Sequence, residues 1–195
     1  MNGIQADSRY VKGNKTMKNT FEIEIAGCKR NLPICSVNEH LDIAAFIMFG
    51  DVEITVKCAR ELLKICPEFD ILATAESKGI PLCYEMAPQS QKDYVIARKS
   101  QKVYMKDSIY TTVKSITTAE TQKLYLSSTD IDRIKNKKVL IVDDVISTGN
   151  SIVAVENLIE KASGKITGKV CVLAEGNAAN RKDIIFLNSL PIFEK

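Results

Sequence analysis

The stretch VLIVDDVISTGNS, residues 139–151, carries most of the information about the fold. Its four leading apolar residues are typical of a strand that is buried on both faces of a parallel sheet. Two adjacent carboxylates, Asp143 and Asp144, come next, and a loop of small and hydroxyl-bearing residues follows them. The residues after the loop have the apolar spacing of an amphipathic helix, which we expect to end at Gly164. The stretch therefore predicts a strand, a loop and a helix in direct succession.

The same succession of elements recurs on both sides of this stretch. We predict a strand at 69–74, a loop at 75–79 and a helix after Pro81, and further strands at 93–99 and 169–176. Strands that alternate with helices favour an α/β fold in which a parallel sheet is flanked by helices.

The N-terminal part of the chain is less regular. Residues 1–20 are polar and without periodicity, so we expect a flexible leader ahead of a single domain at 21–195. Alternating residues predict a short strand at 21–25, and the segment that follows it up to residue 42 is rich in turn-forming residues. The apolar spacing of 43–66 predicts one helix, or two helices broken near Gly50.

Residues 98–138 hold ten Lys and Arg against four acidic residues. This excess of positive charge can attract an anionic ligand, or it can be an ordinary solvated face. Within the segment, 110–117 and 122–128 alternate with a period of two, which predicts the arms of a β-hairpin.

The composition excludes several classes of site. The chain has 195 residues, 45% of them apolar and 26% charged, with a net charge of +3, which does not indicate wholesale nucleic-acid binding. Six cysteines without a CxxC pair, and His40 as the single histidine, argue against a zinc site or a histidine-based triad. Since no apolar run approaches ~18 residues, we expect a cytoplasmic protein without a membrane segment.

The residues of the opening stretch predict a specific chemistry at the sheet edge. In a parallel sheet, ligands bind at the carboxyl ends of the strands, beside the N-termini of the following helices. The free N–H groups there, with the hydroxyls of the loop, suit a phosphate monoester, and Gly149 permits close approach to the backbone. The adjacent carboxylates would repel that phosphate unless they face the hydroxyls of a ribose. The predicted ribose 5-phosphate site consists of Asp143, Asp144, Val145, Ile146, Ser147, Thr148, Gly149, Asn150 and Ser151.

Two other interpretations of the stretch stay open. The two carboxylates could bind Mg²⁺ directly. Alternatively, Asp144 could be a turn residue and the hydroxyls could cap the helix, although this explains one acid and one serine rather than the whole pattern.

The thirteen residues 139–151 resemble the phosphoribosyl-pyrophosphate (PRPP) binding signature of type I phosphoribosyltransferases. A second resemblance lies in TAESKGIPL, where Glu76-Ser77-Lys78-Gly79 is similar to the Glu-small-Arg-Gly pyrophosphate loop of adenine-type members. In that family the loop contains a non-proline cis peptide. The segment YVIARKSQK, residues 94–102, resembles the strand and loop that begin the family's flexible catalytic lid.

The resemblance implies an α/β domain with a small hood and a flexible hairpin lid. It also implies transfer of ribose 5-phosphate from PRPP to a purine, purine salvage, and assembly as a homodimer. Mg²⁺ is then the cofactor, held by PRPP rather than by direct protein ligands. Asp143 and Asp144 are implied to be catalytic, together with Lys102 of the lid, although Lys102 could equally be a solvated surface lysine. The implied pyrophosphate site consists of Glu76, Ser77, Lys78, Gly79, Arg98 and Lys99.

The acceptor base is expected beneath a hood formed by residues 21–45 and the C-terminal tail. Glu175 could accept a hydrogen bond from a base N–H, and Phe46 or Phe21 could stack on the base or serve as a core residue. The loop at 76–79 favours adenine as the acceptor.

The lid sequence points away from adenine. KVYMKDSIYTTVKSITT, residues 102–118, lacks the Pro-Gly-Glu-Thr-like lid with its glutamate that adenine-type enzymes carry. It offers Tyr104, Asp107 and Ser108 instead, and is closer to xanthine-type enzymes and to purine regulators. A xanthine or hypoxanthine enzyme and a non-catalytic PRPP-sensing regulator therefore remain as alternatives. Since residues 1–20 are too short for a winged helix, the enzyme is favoured.

Overall fold

The structure, a computed structural model, describes residues 20–114 and 121–195. The predicted leader, apart from Thr20, lies outside the described residues, and so does the tip of the predicted hairpin at 115–120. None of the helices in the described part of the chain is long and apolar enough to cross a membrane.

The described residues form strands and helices that alternate over most of the chain. The strands are β1 (Thr20–Ile25), β2 (Cys28–Asn38), β3 (Leu41–Ala44), β4 (Ile71–Ala75), β5 (Asp93–Ala97), β6 (Ile109–Lys114), β7 (Thr121–Leu126), β8 (Lys138–Ile146), β9 (Lys165–Glu175), β10 (Ile185–Leu190) and β11 (Ile192–Glu194). The α-helices are α1 (Val52–Ile65), α2 (Ile80–Ser90), α3 (Ser128–Ile134) and α4 (Asn150–Lys161), and a short 3-10 helix covers Gly176–Asn180.

The core of the molecule is a five-stranded parallel sheet with the order β10-β9-β8-β4-β5. Alternate residues of β8 are buried on opposite faces of this sheet. Leu140 and Val142 pack in the cluster that contains α1 and α2, whereas Val139 and Ile141 pack in the cluster that contains α4. The predicted parallel sheet flanked by helices is confirmed, and the continuous apolar run of β8 is explained by burial on both sides.

A separate antiparallel sheet, which we call the hood sheet, has the order β1-β2-β3-β11. The turn-rich interpretation of residues 27–42 is wrong, because most of this segment belongs to β2 and β3. Ala26 and Gly27 have φ angles of 51° and 73°, as a tight two-residue hairpin between β1 and β2 requires. β11 pairs with β3, so the C-terminal residues complete this sheet.

The helix predicted at 43–66 is also wrong in its first part. Residues 43 and 44 belong to β3, and α1 begins only at Val52. The boundary has a local cause: Gly50 has a φ of 81°, and the Asp51 carboxylate caps the helix by accepting the N–H of Ile54 at 3.2 Å.

Three further elements can be compared with the sequence prediction. Helix α2 begins at Ile80, close to the predicted start after Pro81, and it continues through Pro88 to Ser90. Helix α3 was not predicted, although Ser127 and Asp130 form a complete capping box at its start. The hairpin is confirmed in its arms, since β6 and β7 pair antiparallel.

Candidate active site

A cavity of about 420 Å³ lies between the carboxyl ends of the central strands and the hood sheet. Ten of the predicted site residues line it, and they come from β8, β9 and the segments that follow β4, β5 and β8. These are Glu76, Ser77, Lys78, Lys99, Asp143, Asp144, Val145, Ser147, Ser151 and Glu175. The structure therefore brings together the two loops and the strand end that the sequence singled out separately.

Asp143 and Asp144 lie near the carboxyl end of β8, and both line the cavity. Asp144 is only 3% exposed, and its Oδ2 has no hydrogen-bond partner among the described residues. Its backbone N–H donates to Asp143 Oδ1 at 2.9 Å, so the two acids are held side by side. Asp144 thus lines the cavity with a carboxylate that has one buried oxygen without a partner, and such a group is rare without a ligand to satisfy it.

Burial sets the electrostatics of this pair. It raises the pKa of Asp143 well above the ordinary value, and the negative charge of Asp144 raises that pKa further. Burial likewise raises the pKa of Asp144, while hydrogen bonds and the positive charge of Lys78 act in the opposite direction. Donors from a ligand would relieve the cost of keeping both carboxylates ionised.

The loop after β8 leads into α4 through Gly149, which has a φ of 80° and is the N-cap residue. No side chain caps this helix from the N-cap position, so the interpretation of the loop hydroxyls as helix caps is not supported. Ser147 and Ser151 line the cavity instead. An uncapped helix N-terminus with hydroxyls beside it is a site for an anion.

Arg181 is a residue that the sequence did not point to. A Cβ atom added at Gly149 would collide with Arg181 Nη1, so the guanidinium lies directly against the loop. Asp183 holds the same guanidinium by two hydrogen bonds, at 2.9 Å from Nε and 2.7 Å from Nη2. Asp183 in turn pairs with Lys169 at 2.6 Å, and Lys169 pairs with Glu156 of α4 at 2.8 Å. A fixed positive charge therefore stands beside the predicted phosphate loop.

The second loop, residues 76–79, follows β4 and contains a cis peptide between Glu76 and Ser77. The Glu76 carboxylate accepts the backbone N–H of Lys99 at 2.9 Å and lies 3.4 Å from Arg98 Nε. Glu76 is thus engaged with the neighbouring strand end, while Ser77 and Lys78 line the cavity.

Gly79 ties this loop to β8. A Cβ atom at this position would collide with Thr74 Oγ1 and would lie 3.1 Å from the Asp143 Cα atom. Only glycine allows the loop to approach the carboxylate pair this closely.

The segment after β5 carries the predicted lid residues. Arg98 is bridged to Tyr125 of β7 by two backbone hydrogen bonds of 2.9 and 2.8 Å, which joins the hairpin to the end of β5. Lys102 does not line the cavity, and its Nζ donates to Ser100 Oγ at 2.7 Å. Its catalytic role stays a prediction. The hairpin contributes Leu124 to the cavity wall.

Residues 53–192 match the model of the phosphoribosyl transferase domain. The chain belongs to this family. Among curated relatives it is similar to the hypoxanthine/guanine phosphoribosyltransferase of Methanothermococcus okinawensis, with 38% identity over 120 residues, which are 61% of this chain and 62% of that protein. The protein of the same name from Methanococcus voltae is 32% identical over 122 residues, 63% of this chain and 62% of the relative. The chain thus spans somewhat less than two thirds of the length of these relatives.

Solved structures show the same fold at lower identity. The adenine phosphoribosyltransferase of Thermoanaerobacter pseudethanolicus has a TM-score of 0.63 and 20% identity, with 88% of this chain and 95% of that chain covered. The enzyme of Giardia lamblia complexed with 9-deazaadenine has a TM-score of 0.61 and 14% identity, with 87% and 93% covered. Type I phosphoribosyltransferase architecture is therefore confirmed.

In this family member, part of the cavity wall comes from β3 of the hood sheet and the residues that follow it. Ala44, Phe46 and Leu190 are almost fully buried and form an apolar wall there. Phe46 is thus both a core residue and part of the cavity. Phe21 instead packs edge-to-face on Phe193, with ring centroids 5.8 Å apart, and does not line this cavity.

Glu175, the last residue of β9, lines the same cavity and is the sheet neighbour of Leu190. Burial raises the pKa of the Glu175 carboxyl, and the charge of Lys78 partly opposes the change. Among the described residues, no side chain donates to its carboxylate in a hydrogen bond or an ion pair.

The carboxylate oxygens of the cavity suit Mg²⁺ that is held mainly by a bound substrate, with few ligands from the protein. Within residues 20–114 and 121–195, no three His, Cys, Asp or Glu side chains cluster closely enough to hold a metal ion by themselves. The unpartnered Oδ2 of Asp144 is nevertheless a hard oxygen donor at the cavity, of the kind that Mg²⁺ prefers. Asp143 and Asp144 are the residues that could approach such an ion.

Proposed function

We propose that this protein is a PRPP-dependent purine phosphoribosyltransferase that forms a nucleoside monophosphate and releases pyrophosphate. The observation that carries the proposal is the buried Asp143–Asp144 pair with its unpartnered oxygen, beside the uncapped N-terminus of α4. A ribose 5-phosphate satisfies both features at once. Its vicinal hydroxyls donate to the carboxylates, and its phosphate accepts from the loop N–H groups and hydroxyls.

The residues around the cavity have distinct tasks in this reaction. Asp143 and Asp144 hold the ribose hydroxyls and so fix C1′ between the leaving group and the base. Ser77, Lys78 and Lys99 face the cavity where pyrophosphate leaves, and the two lysines stabilise its developing negative charge. Glu76 orients the Arg98–Lys99 segment through the hydrogen bond to the Lys99 N–H.

Mg²⁺, when bound with PRPP, would neutralise part of the pyrophosphate charge. The hairpin that carries Leu124 borders the cavity and can help to exclude water, which competes with the base for PRPP.

The acceptor is a purine in this proposal. Curated relatives with up to 38% identity are named hypoxanthine/guanine phosphoribosyltransferases, which favours a 6-oxopurine. The loop at 76–79 favours adenine as a second candidate. The two adenine enzymes of the same fold are only 20% and 14% identical to this chain, so they support the fold and not the identity of the acceptor base.

Pyrophosphate release from PRPP and Mg²⁺ tests the proposal with adenine, hypoxanthine, guanine and xanthine as acceptors. We expect turnover with at least one of these purines. PRPP binding without turnover on any of them would instead support the alternative of a non-catalytic PRPP sensor.

A double substitution, Asp143→Asn with Asp144→Asn, tests the ribose assignment by calorimetric titration with PRPP. The loss of two charged acceptors should weaken PRPP binding by at least about 100-fold. Asp132→Asn, at an exposed position of α3, is the matched control and should bind PRPP like the parent. Unchanged PRPP affinity in the double variant would remove the assignment.

A further inference from the structure

We propose that Glu175 selects the acceptor base, with its carboxylate accepting the two adjacent donors N1–H and N2–H of guanine. This inference rests on the proposed function, because it assigns a substrate to the base end of the same cavity.

The topology places the base next to Glu175. The central strands run in the order β9-β8-β4, with the carboxylate pair at the end of β8 and the loop at 76–79 after β4. A base that attacks C1′ comes from the side opposite the departing pyrophosphate. With pyrophosphate on the β4 side, the base therefore occupies the β9 side. The register between β8 and β9 pairs Ile146 with Ala174, so Glu175 is the next residue along β9, level with the start of the phosphate loop.

The walls around Glu175 suit a flat purine ring. Ala44, Phe46 and Leu190 supply apolar surface, and Glu175 adds a charged acceptor to the same cavity. Sites for small aromatic ligands have this composition, in which apolar walls hold the ring and a few polar groups select its edge.

Glu175 has no competing structural task in the described chain. It is the N-cap residue of the 3-10 helix at Gly176–Asn180, but its side chain makes no capping hydrogen bond. None of the described side chains pairs with its carboxylate. A half-buried carboxylate of this kind is available to a ligand.

The hydrogen-bonding edges of the purines then decide the order of preference. An ionised carboxylate only accepts hydrogen bonds. Guanine offers two donors side by side, N1–H and the N2 amino group, whereas hypoxanthine offers N1–H alone. In xanthine the N1–H is flanked by two carbonyl oxygens, and in adenine N1 is itself an acceptor; both place an acceptor against the carboxylate. The expected order is guanine, then hypoxanthine, with xanthine and adenine last.

The substitution Glu175→Gln tests this assignment, because the amide keeps the size of the side chain and adds a donor. A glutamine amide can accept from the N6 amino group of adenine and donate to its N1. We expect kcat/KM for guanine to fall by about 10- to 100-fold and kcat/KM for adenine to rise, so that the ratio of the two changes by more than either value alone. Glu194→Gln, exposed on β11, is the matched control and should leave the ratio as in the parent.

Affinities for GMP and AMP, measured by calorimetry, separate a failure of this inference from a failure of the proposed function. If the parent shows no turnover with any purine, the proposed function fails. Tighter binding of GMP than AMP, reversed by Glu175→Gln, would then still support the role of Glu175. A parent that prefers adenine over guanine, or a variant with the parent's ratios, overturns the inference, and so does a parent that binds neither nucleotide.

Discussion

The substitution Asp144→Asn should make the free protein more stable and a poorer binder of PRPP. Asp144 is 3% exposed, its Oδ2 is unpartnered, and it lies beside a second, partly buried acid, Asp143. Asparagine has nearly the same shape and no charge. Its amide nitrogen can donate to the Asp143 carboxylate, which turns a repulsion into a hydrogen bond.

The expected gain follows from the burial. An unsatisfied buried polar group costs about 1–3 kcal/mol, and more when it is charged. We therefore expect the free energy of unfolding to rise by about 1–3 kcal/mol near neutral pH. For a chain of this length each kcal/mol corresponds to about 2–4 °C in Tm. PRPP binding should weaken by about 10- to 100-fold in the same variant, because a hydrogen bond from a ribose hydroxyl to a charged acceptor is lost.

The gain should depend on pH in a defined direction. Burial raises the pKa of Asp144 above its ordinary value of 3.8, so the folded state retains the proton to a higher pH than the unfolded state. The parent therefore loses stability as the pH rises from about the ordinary carboxyl pKa through the raised value. The variant lacks this loss, and removal of the Asp144 charge also lowers the pKa of Asp143 towards its ordinary value. The difference between variant and parent should be small in acid and largest at neutral pH.

Urea denaturation at several pH values measures this difference, and calorimetric titration measures the PRPP affinity. Asp51→Asn is the control, because the Arg30 side chain, at 2.6 Å, holds the pKa of Asp51 below its ordinary value. The same chemical change there should lower the stability at neutral pH. If Asp144→Asn were less stable than the parent near neutral pH, the interpretation of the pair as an unsatisfied charge would be wrong.

Two further predictions concern the phosphate loop. Gly149→Ala and Gly50→Ala both place alanine at a φ near 80°, which costs about 1–2 kcal/mol. Only the first also displaces Arg181, and it should cost about 1–3 kcal/mol more in urea denaturation; equal losses would show that the guanidinium does not confine the loop. Arg181→Gln should weaken ribose 5-phosphate binding about tenfold in calorimetry and leave pyrophosphate binding unchanged. Lys182→Gln makes the same change of charge at an exposed position. An equal loss of affinity in that variant would show that Arg181 acts only through the net charge of the protein and not through its position at the loop.

The central sheet could be predicted from the sequence because its signals are local. The apolar run Val139–Val142 of β8 is buried on both faces of the sheet, as an apolar run of this length predicts. In the hood sheet only β1 gave a local signal, the alternating residues at 21–25. In β2, the interruption of the apolar pattern by Asn31 and Pro33 suggested turns, and only pairing with β1 and β3 makes the segment a strand. Such pairing depends on residues distant in the sequence, and tertiary context overrides local preference.

The candidate site could be predicted where its residues are close together in the sequence. Residues 145–151 and the carboxylate pair form one continuous motif, and ten of the predicted residues line one cavity. Arg181 could not be found in this way, because its approach to Gly149 depends on the path of the chain after β9. The environment of Glu76 could not be predicted either, because its partner Lys99 is distant in the sequence. A glutamate in a pyrophosphate loop is unexpected on charge alone, and its hydrogen bond to the Lys99 N–H shows that it is used inside the protein.

The electrostatics of the cavity explain why the acids are placed where they reduce stability. In the free protein, ionised Asp143 and Asp144 reduce the stability of the fold, because burial raises the pKa of both carboxyls. A ligand that donates hydrogen bonds to them removes that cost, so part of the stabilisation of the complex comes from relief of the free state. The charge of Lys78 opposes the rise in the pKa of Asp144 only in part, and Arg181 lies against Gly149, where it is paired with Asp183. A carboxylate pair whose charge is only partly balanced keeps its acceptors available to a ligand that donates hydrogen bonds, whereas a fully paired set of the same residues would be more stable and would bind such a ligand less well.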